Sequence, residues 1–463
     1  MQPSNAASRL GTEPVGRLLL RFSLPAITGM LVNALYNVVD RIFVGRAVGE
    51  AALGGLALVM PLVTISMACV MLFGIGASNM ISMRLGQGRR EEAENTLNHC
   101  FVLLIGLGIL MMVVGITFID QILSLMGAQE GSQSLEYARR YFRITLYGSV
   151  FFSVSFGLSH CTRAQGFPII TMIGMLLGGV LNIILDFFFI IVFQWGVEGA
   201  AWATVICQFV TLVWIFSFSC SKRAVIRLRP ESFRPSLKIV REIMGFGSPQ
   251  FLLHVAMSGT QVFINTSLGW YGAIALGVIN GGDIALSGMN IVNAIAMLFL
   301  MPVFGINQGA QPILGYNYGA KKFDRVRKTY FRAITAATCI CTFGFIIAQF
   351  FPLAIVRFFV SDGTEALYYF APTAMRIVFL MLPLTGFSII SNNMFAVTGR
   401  ARISIFLMLL RQCFLILPCL FIFGRIWGLW GVVAAIPVAE GISLIFTSIM
   451  IFFEMRKLKD NTN

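Results

Sequence analysis

Asn33, Tyr36, Asn37 and Asp40 interrupt an otherwise apolar run near the amino terminus. Their spacing of three, four and seven residues keeps all four within about 100° of one helix face. A later apolar run carries Asn182 and Asp186, four apart and therefore stacked on one face. Carboxylates and amides are expensive at membrane depth, so such positions mark a binding site or an ion pathway unless they satisfy one another. Two carboxylates in one low-dielectric pocket resist simultaneous ionisation, so the pair can take up and release a proton. Joined by an amide and a hydroxyl, the same oxygens suit Na⁺. Asp40 also has a plainer reading, as an interfacial residue paired with the adjacent Arg41.

Other polar residues lie deep in apolar runs. His254, Ser258, Gln261 and Asn265 share one helix face within roughly 60° but include no acid. They form a neutral stripe that lines a substrate cavity or holds neighbouring helices together. Arg411 and Glu440 are the remaining deep charges; a structural pair is favoured over a second ion site, although their depths differ by about 8 Å at a rise of about 1.5 Å per residue. The 42 Phe and 23 Met mostly face lipid or pack. Those lining a cavity would give flat lipophilic cations an adaptable apolar wall.

The elements that must position these residues follow from composition. The chain has 463 residues, 57% hydrophobic and 12% charged, with a mean hydropathy of +0.83, too apolar for a soluble globular protein. A spanning helix takes about 20 apolar residues, and the sequence holds twelve charge-poor runs; the clearest, 101–119, contains no charge. An even count puts both termini on one side. Of the 34 Lys and Arg, 25 fall in the tails and loops of that side and 7 in the opposite loops, which makes that side, and both termini, cytoplasmic. The net charge of +14 is spread over short juxtamembrane loops and forms no groove for nucleic acid. The nine cysteines show neither a disulfide framework nor zinc spacing. No GxxxxGK[ST] loop is present, so ATP hydrolysis does not drive the chain. The expectation is a secondary transporter of the cytoplasmic membrane, not an enzyme, without cofactor and powered by an ion gradient.

An internal repeat divides the sequence. A shift of 233 residues carries Gly49, Gly55, Gly76 and Gly86 onto Gly282, Gly288, Gly309 and Gly319, and Gly166 onto Gly399. The expected organisation is an amino-terminal lobe over 1–220, a cytoplasmic linker over 221–244 and a carboxy-terminal lobe over 245–463. Six spans per lobe, entering in the same sense, imply a pseudo-two-fold axis along the membrane normal and alternating access between the lobes. The basic linker reads as a solvated tether; contact with anionic lipid headgroups is its alternative.

Specific motifs cover nearly the whole chain: Leu24-Pro25, then Leu35-Tyr36-Asn37-Val38-Val39-Asp40-Arg41-Ile42-Phe43-Val44-Gly45, the loop at Gly166, Leu181-Asn182-Ile183-Ile184-Leu185-Asp186, and Gly199-Ala200-Ala201-Trp202-Ala203-Thr204. In these the sequence resembles the multidrug and toxic compound extrusion (MATE) family, and within it the bacterial multidrug-efflux branch. The resemblance implies an all-α integral membrane fold of twelve helices in two six-helix bundles around a V-shaped cavity. It also implies export of lipophilic organic cations against Na⁺ or H⁺, by a functional monomer in contact with membrane lipids. The coupling site carries over to Asp40, Asn182, Asp186 and Thr204, with Tyr36 and Asn37 beside them and Asn33 a further cavity residue. Two departures stand out. Phe187 follows Asp186 where many relatives have proline, which puts a local kink in doubt. Met257 and its neighbours stand where several branches place a seventh-helix acid, so coupling is expected to rest on the amino-terminal lobe. A flippase for lipid-linked sugars is the alternative in the same broad superfamily; it would have fourteen spans and a basic cavity.

Overall fold

In the computed structural model, residues 4–126, 132–229, 231, 233–276, 280–360 and 364–460 are described. Among them the chain is helical and contains no strand. The first half comprises α1 (Ser4–Leu10), α2 (Val15–Ala47), α3 (Glu50–Gly86), α4 (Arg90–Thr117), α5 (Ile119–Leu125), α6 (Gln133–Tyr147), α7 (Ser149–Ala164), α8 (Pro168–Asp186) and α9 (Gly196–Cys220). The second half comprises α10 (Leu237–Ala275), α11 (Gly281–Gly319), α12 (Phe323–Phe350), α13 (Pro352–Phe359), α14 (Glu365–Val378), α15 (Leu382–Val397), α16 (Ala401–Leu409) and α17 (Ile416–Asp460).

Among the described residues nine helical stretches are long and apolar enough to cross a membrane, and the bent pair α6 and α7, at 57°, makes a tenth. One of the nine, Ala401–Asp460, is 60 residues long. At about 1.5 Å per residue it is about three times the thickness of a hydrocarbon core. It breaks at Gly428, where φ is 58°, and so supplies two spans. With the long, more polar α10 this makes twelve, six in each half.

The repeat is written into the backbone. Positive φ occurs at Gly88 and Lys321, at Gly166 and Gly399, and at Gly196 and Gly428; these are the same three turns in each half. Lys321 holds its φ of 57° without the freedom of a glycine, which a tight turn between two long helices imposes on it.

The chain divides into two compact units, 1–251 with 311–321, and 252–310 with 322–463. The boundary passes through α10 and α11, so the start of α10 and the end of α11 belong to the first unit. Glycines explain the attachment. A Cβ at Gly247 would fall on the Leu72 carbonyl oxygen, and one at Gly76 on that of Ile243. α3 and α10 therefore cross backbone against backbone, as small residues permit where no hydrophobic drive separates helix from lipid. Further along α3, Gly86 meets the Tyr316 carbonyl and Gly319 that of Met83, a contact between repeat-equivalent residues. Gln311 Nε2 donates to Asn79 Oδ1 nearby. α1 closes this end: Leu10 is fully buried, and its carbonyl accepts from Asn317 Nδ2 at 2.9 Å.

The basic linker is not a solvated tether. Ala224, Val225 and Ile226 are buried, and polar side chains of α4 and of the turn after α7 hold its backbone. Asn98 bonds both the N–H and the carbonyl of Arg229, and Asn95 does the same for Arg234. The Ser236 N–H donates to His99 Nε2 at 3.0 Å and the Ile226 N–H to Gln165 Oε1 at 3.1 Å. Charge alone suggested a free segment; the three apolar residues inside it and the amides that pair its backbone overrule that.

Candidate functional site

The first unit encloses a cavity of about 290 Å³, near the lower end of the range for small-molecule sites. Its position follows from how α2 meets α8. A Cβ at Gly29 would fall on Met175 Sδ, and one at Gly179 would lie 2.7 Å from Val32 Cγ1 and 3.5 Å from the Tyr36 ring. The two helices therefore run parallel in close contact, and the offset that pairs Gly29 with Met175 also pairs Asp40 with Asp186. Beyond Asp186 the helix widens into a π-helical turn, Phe187–Val192, with Phe193 N–H donating to Phe188 O. The doubt raised by Phe187 in place of proline is resolved: helix geometry changes immediately after Asp186 without a proline, by the kind of π-turn that recurs at functional sites.

Asn33, Tyr36, Asn37, Asp40, Asn182 and Thr204 all line the cavity. Asn33 Nδ2 donates to the Tyr36 hydroxyl at 3.3 Å, and Asn37 Nδ2 to the Asn33 carbonyl at 2.7 Å. Asp186 is 0% exposed and is not among the lining residues; it stands behind the wall, in the electrostatic field of Asp40. Four buried oxygens here have no hydrogen-bond partner: Asp40 Oδ1, Asn182 Oδ1 and both oxygens of Asp186. Buried acceptors are seldom left unsatisfied, and such a group asks for an explanation in terms of an ion, a proton or a water. Asp40 lies in the electrostatic field of Arg41 without a close pairing. Arg41 reaches Met60 Sδ at 3.4 Å, and no Asp40–Arg41 ion pair forms among the described residues.

Several lining residues were not anticipated from sequence. Tyr141 lines the cavity beside Thr204 and lies in the field of Asp40, Tyr36 and Asp186. It is carried there by the bend at Gly148, which packs on Val205 and Gln208 of α9. Cys207, Gln208 and Thr211 also face the cavity, and with Thr204 they show the same three, four and seven spacing as the stripe on α2. That periodicity was the available signal. Tyr141 had none, since it sits in a charged amphipathic stretch that reads as a span end. The apolar wall holds Met60, Met111, Met175, Phe142, Phe152 and Phe156.

The other expected residues lie in the second unit. His254, Ser258, Gln261 and Asn265 follow one another along α10; Ser258 Oγ donates to the His254 carbonyl and Gln261 Nε2 to Asn265 Oδ1. None of them lines the cavity of the first unit. Arg411 Nη1 donates to Glu440 Oε2 at 2.9 Å. Arg411 sits on a second π-helical turn, Leu410–Leu415, whose freed Gln412 carbonyl accepts from Thr260. An arginine side chain is long enough to bridge most of the depth difference read from sequence. Replacing Arg411 by leucine strands the Glu440 charge and is expected to cost about 3 kcal/mol. The Arg411→Leu, Glu440→Leu double variant is expected to recover most of that loss in thermal unfolding of the purified protein.

Comparison with known proteins gives a consistent picture. Residues 25–188 and 257–422 each match the sequence model described as MatE. The multidrug export protein MepA of Staphylococcus aureus (strain N315) is 26% identical over 454 residues, 97% of this chain and 96% of that protein. The outward-facing conformation of a multidrug resistance MATE family transporter of the MOP superfamily superposes with a TM-score of 0.90 at 26% identity, over 98% of each chain. A MOP superfamily transporter from Pyrococcus furiosus Vc1 (DSM3638), whose binding pocket of reverse polarity suggests a different function for it, gives the same score, identity and coverage.

Proposed function

The chain belongs to the MatE family, and from that premise we propose that it exports lipophilic organic cations across the cytoplasmic membrane in exchange for Na⁺ or H⁺. Both termini are cytoplasmic in this reading, and the monomer is the working unit. The observation that carries it is the set of four unpartnered buried oxygens contributed by α2 and α8. A proton shared between the two aspartates, or Na⁺ among the carboxylate and amide oxygens, neutralises a charge that burial would otherwise penalise. Thr204 and Tyr141 would complete the oxygen shell, with Tyr36 and Asn37 holding the cavity side. An organic cation resting on the Met and Phe wall would seek Asp40, the carboxylate on that wall, so ion and substrate exclude one another. That exclusion is the coupling. MepA is named a multidrug export protein, which agrees with an adaptable apolar wall in place of a fitted site. The cavity lining holds a single base, Arg41, beside Asp40, whereas the phosphates of a lipid-linked sugar would call for several basic residues.

The energetics set a condition. One-for-one exchange of monovalent cations moves no net charge, so it draws only on the chemical gradient of the coupling ion. Each additional inward ion would add about 2.3 kcal/mol per 100 mV of membrane potential. The test is dye movement in phosphatidylcholine vesicles containing the purified protein, with an imposed Na⁺ gradient, pH gradient or potential. Uphill dye movement driven by one ion gradient is expected, and its voltage dependence gives the number of ions. Movement that only equilibrates the dye under every gradient would mark a channel and overturn the proposal.

A further inference from the structure

The segment 221–241 carries Lys222, Arg223, Arg227, Arg229, Arg234, Lys238 and Arg241 against one acid, Glu231. A tether that merely obeys the positive-inside rule needs the charges and no fixed shape. Here the backbone is fixed: two asparagines each bond both sides of an arginine peptide position, as a neighbouring strand would, and His99 and Gln165 add further bonds. Two of the cations are engaged locally, Arg229 with Glu94 at 3.6 Å and Arg227 with the Lys222 carbonyl at 3.2 Å. The other five, Lys222, Arg223, Arg234, Lys238 and Arg241, are exposed and form no ion pair among the described residues.

Their placement says what they face. Lys222 and Arg223 come just after α9, beyond Ser221, while Arg234, Lys238 and Arg241 surround the start of α10, so all five flank the ends of helices that span the membrane in this reading. Between them Leu237, the first residue of α10, is 89% exposed, and Arg241 stands one turn along on the same face. Exposed cations at the ends of spans, with an exposed apolar side chain among them, match a lipid surface. A soluble polyanion would match the charges but leave the leucine in water. We propose that the docked linker is a recognition surface for anionic phospholipid headgroups, held in register by Asn95 and Asn98.

The test needs no transport, so its outcome is independent of the exchange reaction. The full-length protein is reconstituted in phosphatidylcholine vesicles containing phosphatidylglycerol, and the motionally restricted fraction of spin-labelled phosphatidylglycerol is compared with that of spin-labelled phosphatidylcholine. The wild type is expected to prefer the anionic label several-fold. The Arg234→Gln, Lys238→Gln, Arg241→Gln variant, altered only at exposed positions, is expected to lose most of that preference. The Asn95→Ala, Asn98→Ala variant keeps every cation and is expected to lose much of it too. An equal preference in wild type and triple variant overturns the proposal, as does full preference in a folded asparagine variant, which would reduce the effect to charge alone. If the asparagine variant does not fold, the triple variant decides. Oligonucleotide binding that the triple substitution abolishes, with lipid preference unmoved, would assign the surface to a soluble polyanion instead.

Discussion

Asp186→Asn is expected to abolish ion-driven efflux while leaving the fold and the substrate cavity in place. The substitution preserves volume and removes only the charge. Asp186 is fully buried with both oxygens unpartnered, so the amide loses no existing hydrogen bond among the described residues. Losing interactions with a charged group is worth roughly 1.5 to 3 kcal/mol, or about ten- to a hundredfold in occupancy of the cation. Because Asp186 stands behind the cavity wall, dye affinity measured without a gradient should change little. Asp40→Asn, on the wall itself, should lower dye affinity and coupling together. Dye efflux from cells at matched expression, with dye binding to the purified protein, reads the two effects separately. Gradient-driven efflux at the wild-type rate in Asp186→Asn would remove this residue from the mechanism.

The reason this site was partly legible in the sequence is geometric. Spacing along a helix fixes which side chains share a face, so Asn33, Tyr36, Asn37 and Asp40, and likewise Asn182 and Asp186, could be grouped from numbers alone. Spacing does not fix how one helix is rotated against another. The stripe of Thr204, Cys207, Gln208 and Thr211 was visible in the same way, yet nothing in the sequence turned it toward the cavity; α9 is set against α8 at Gly178, where a Cβ would lie 2.8 Å from Thr211 Oγ1. The π-helical turn after Asp186 lies in Phe187–Val192, a run of apolar residues with neither glycine nor proline, and such a run carries no mark of an altered hydrogen-bond pattern. Charge misled at the linker, where the buried Ala224, Val225 and Ile226 were the overlooked sign that this segment packs. The repeat was the most legible feature, because turn geometry constrains glycines directly: Gly166 and Gly399, and Gly196 and Gly428, recur with positive φ.

The same glycine logic yields a large expected effect on stability. Gly247→Ala adds a Cβ at the Leu72 carbonyl oxygen, with the Leu72 carbonyl carbon at 2.6 Å and Cα at 3.0 Å. These are backbone atoms, so no change of rotamer makes room and α3 and α10 must move apart. Overpacking of this kind typically costs 1 to 3 kcal/mol, and a rigid backbone neighbour places this case near the upper end, about 3 kcal/mol. Gly245, two residues away on the same helix, has nothing within 4 Å of its would-be Cβ. There alanine is expected to be neutral or to stabilise by up to about 1 kcal/mol through helix propensity. Opposite shifts in thermal unfolding of the two purified variants would establish the crossing, whereas equal shifts would show that α3 and α10 are not in backbone contact. Gly76→Ala strikes the Ile243 carbonyl across the same crossing. Since both substitutions are relieved by one separation of the helices, the double variant is expected to lose less than the sum of the two single losses.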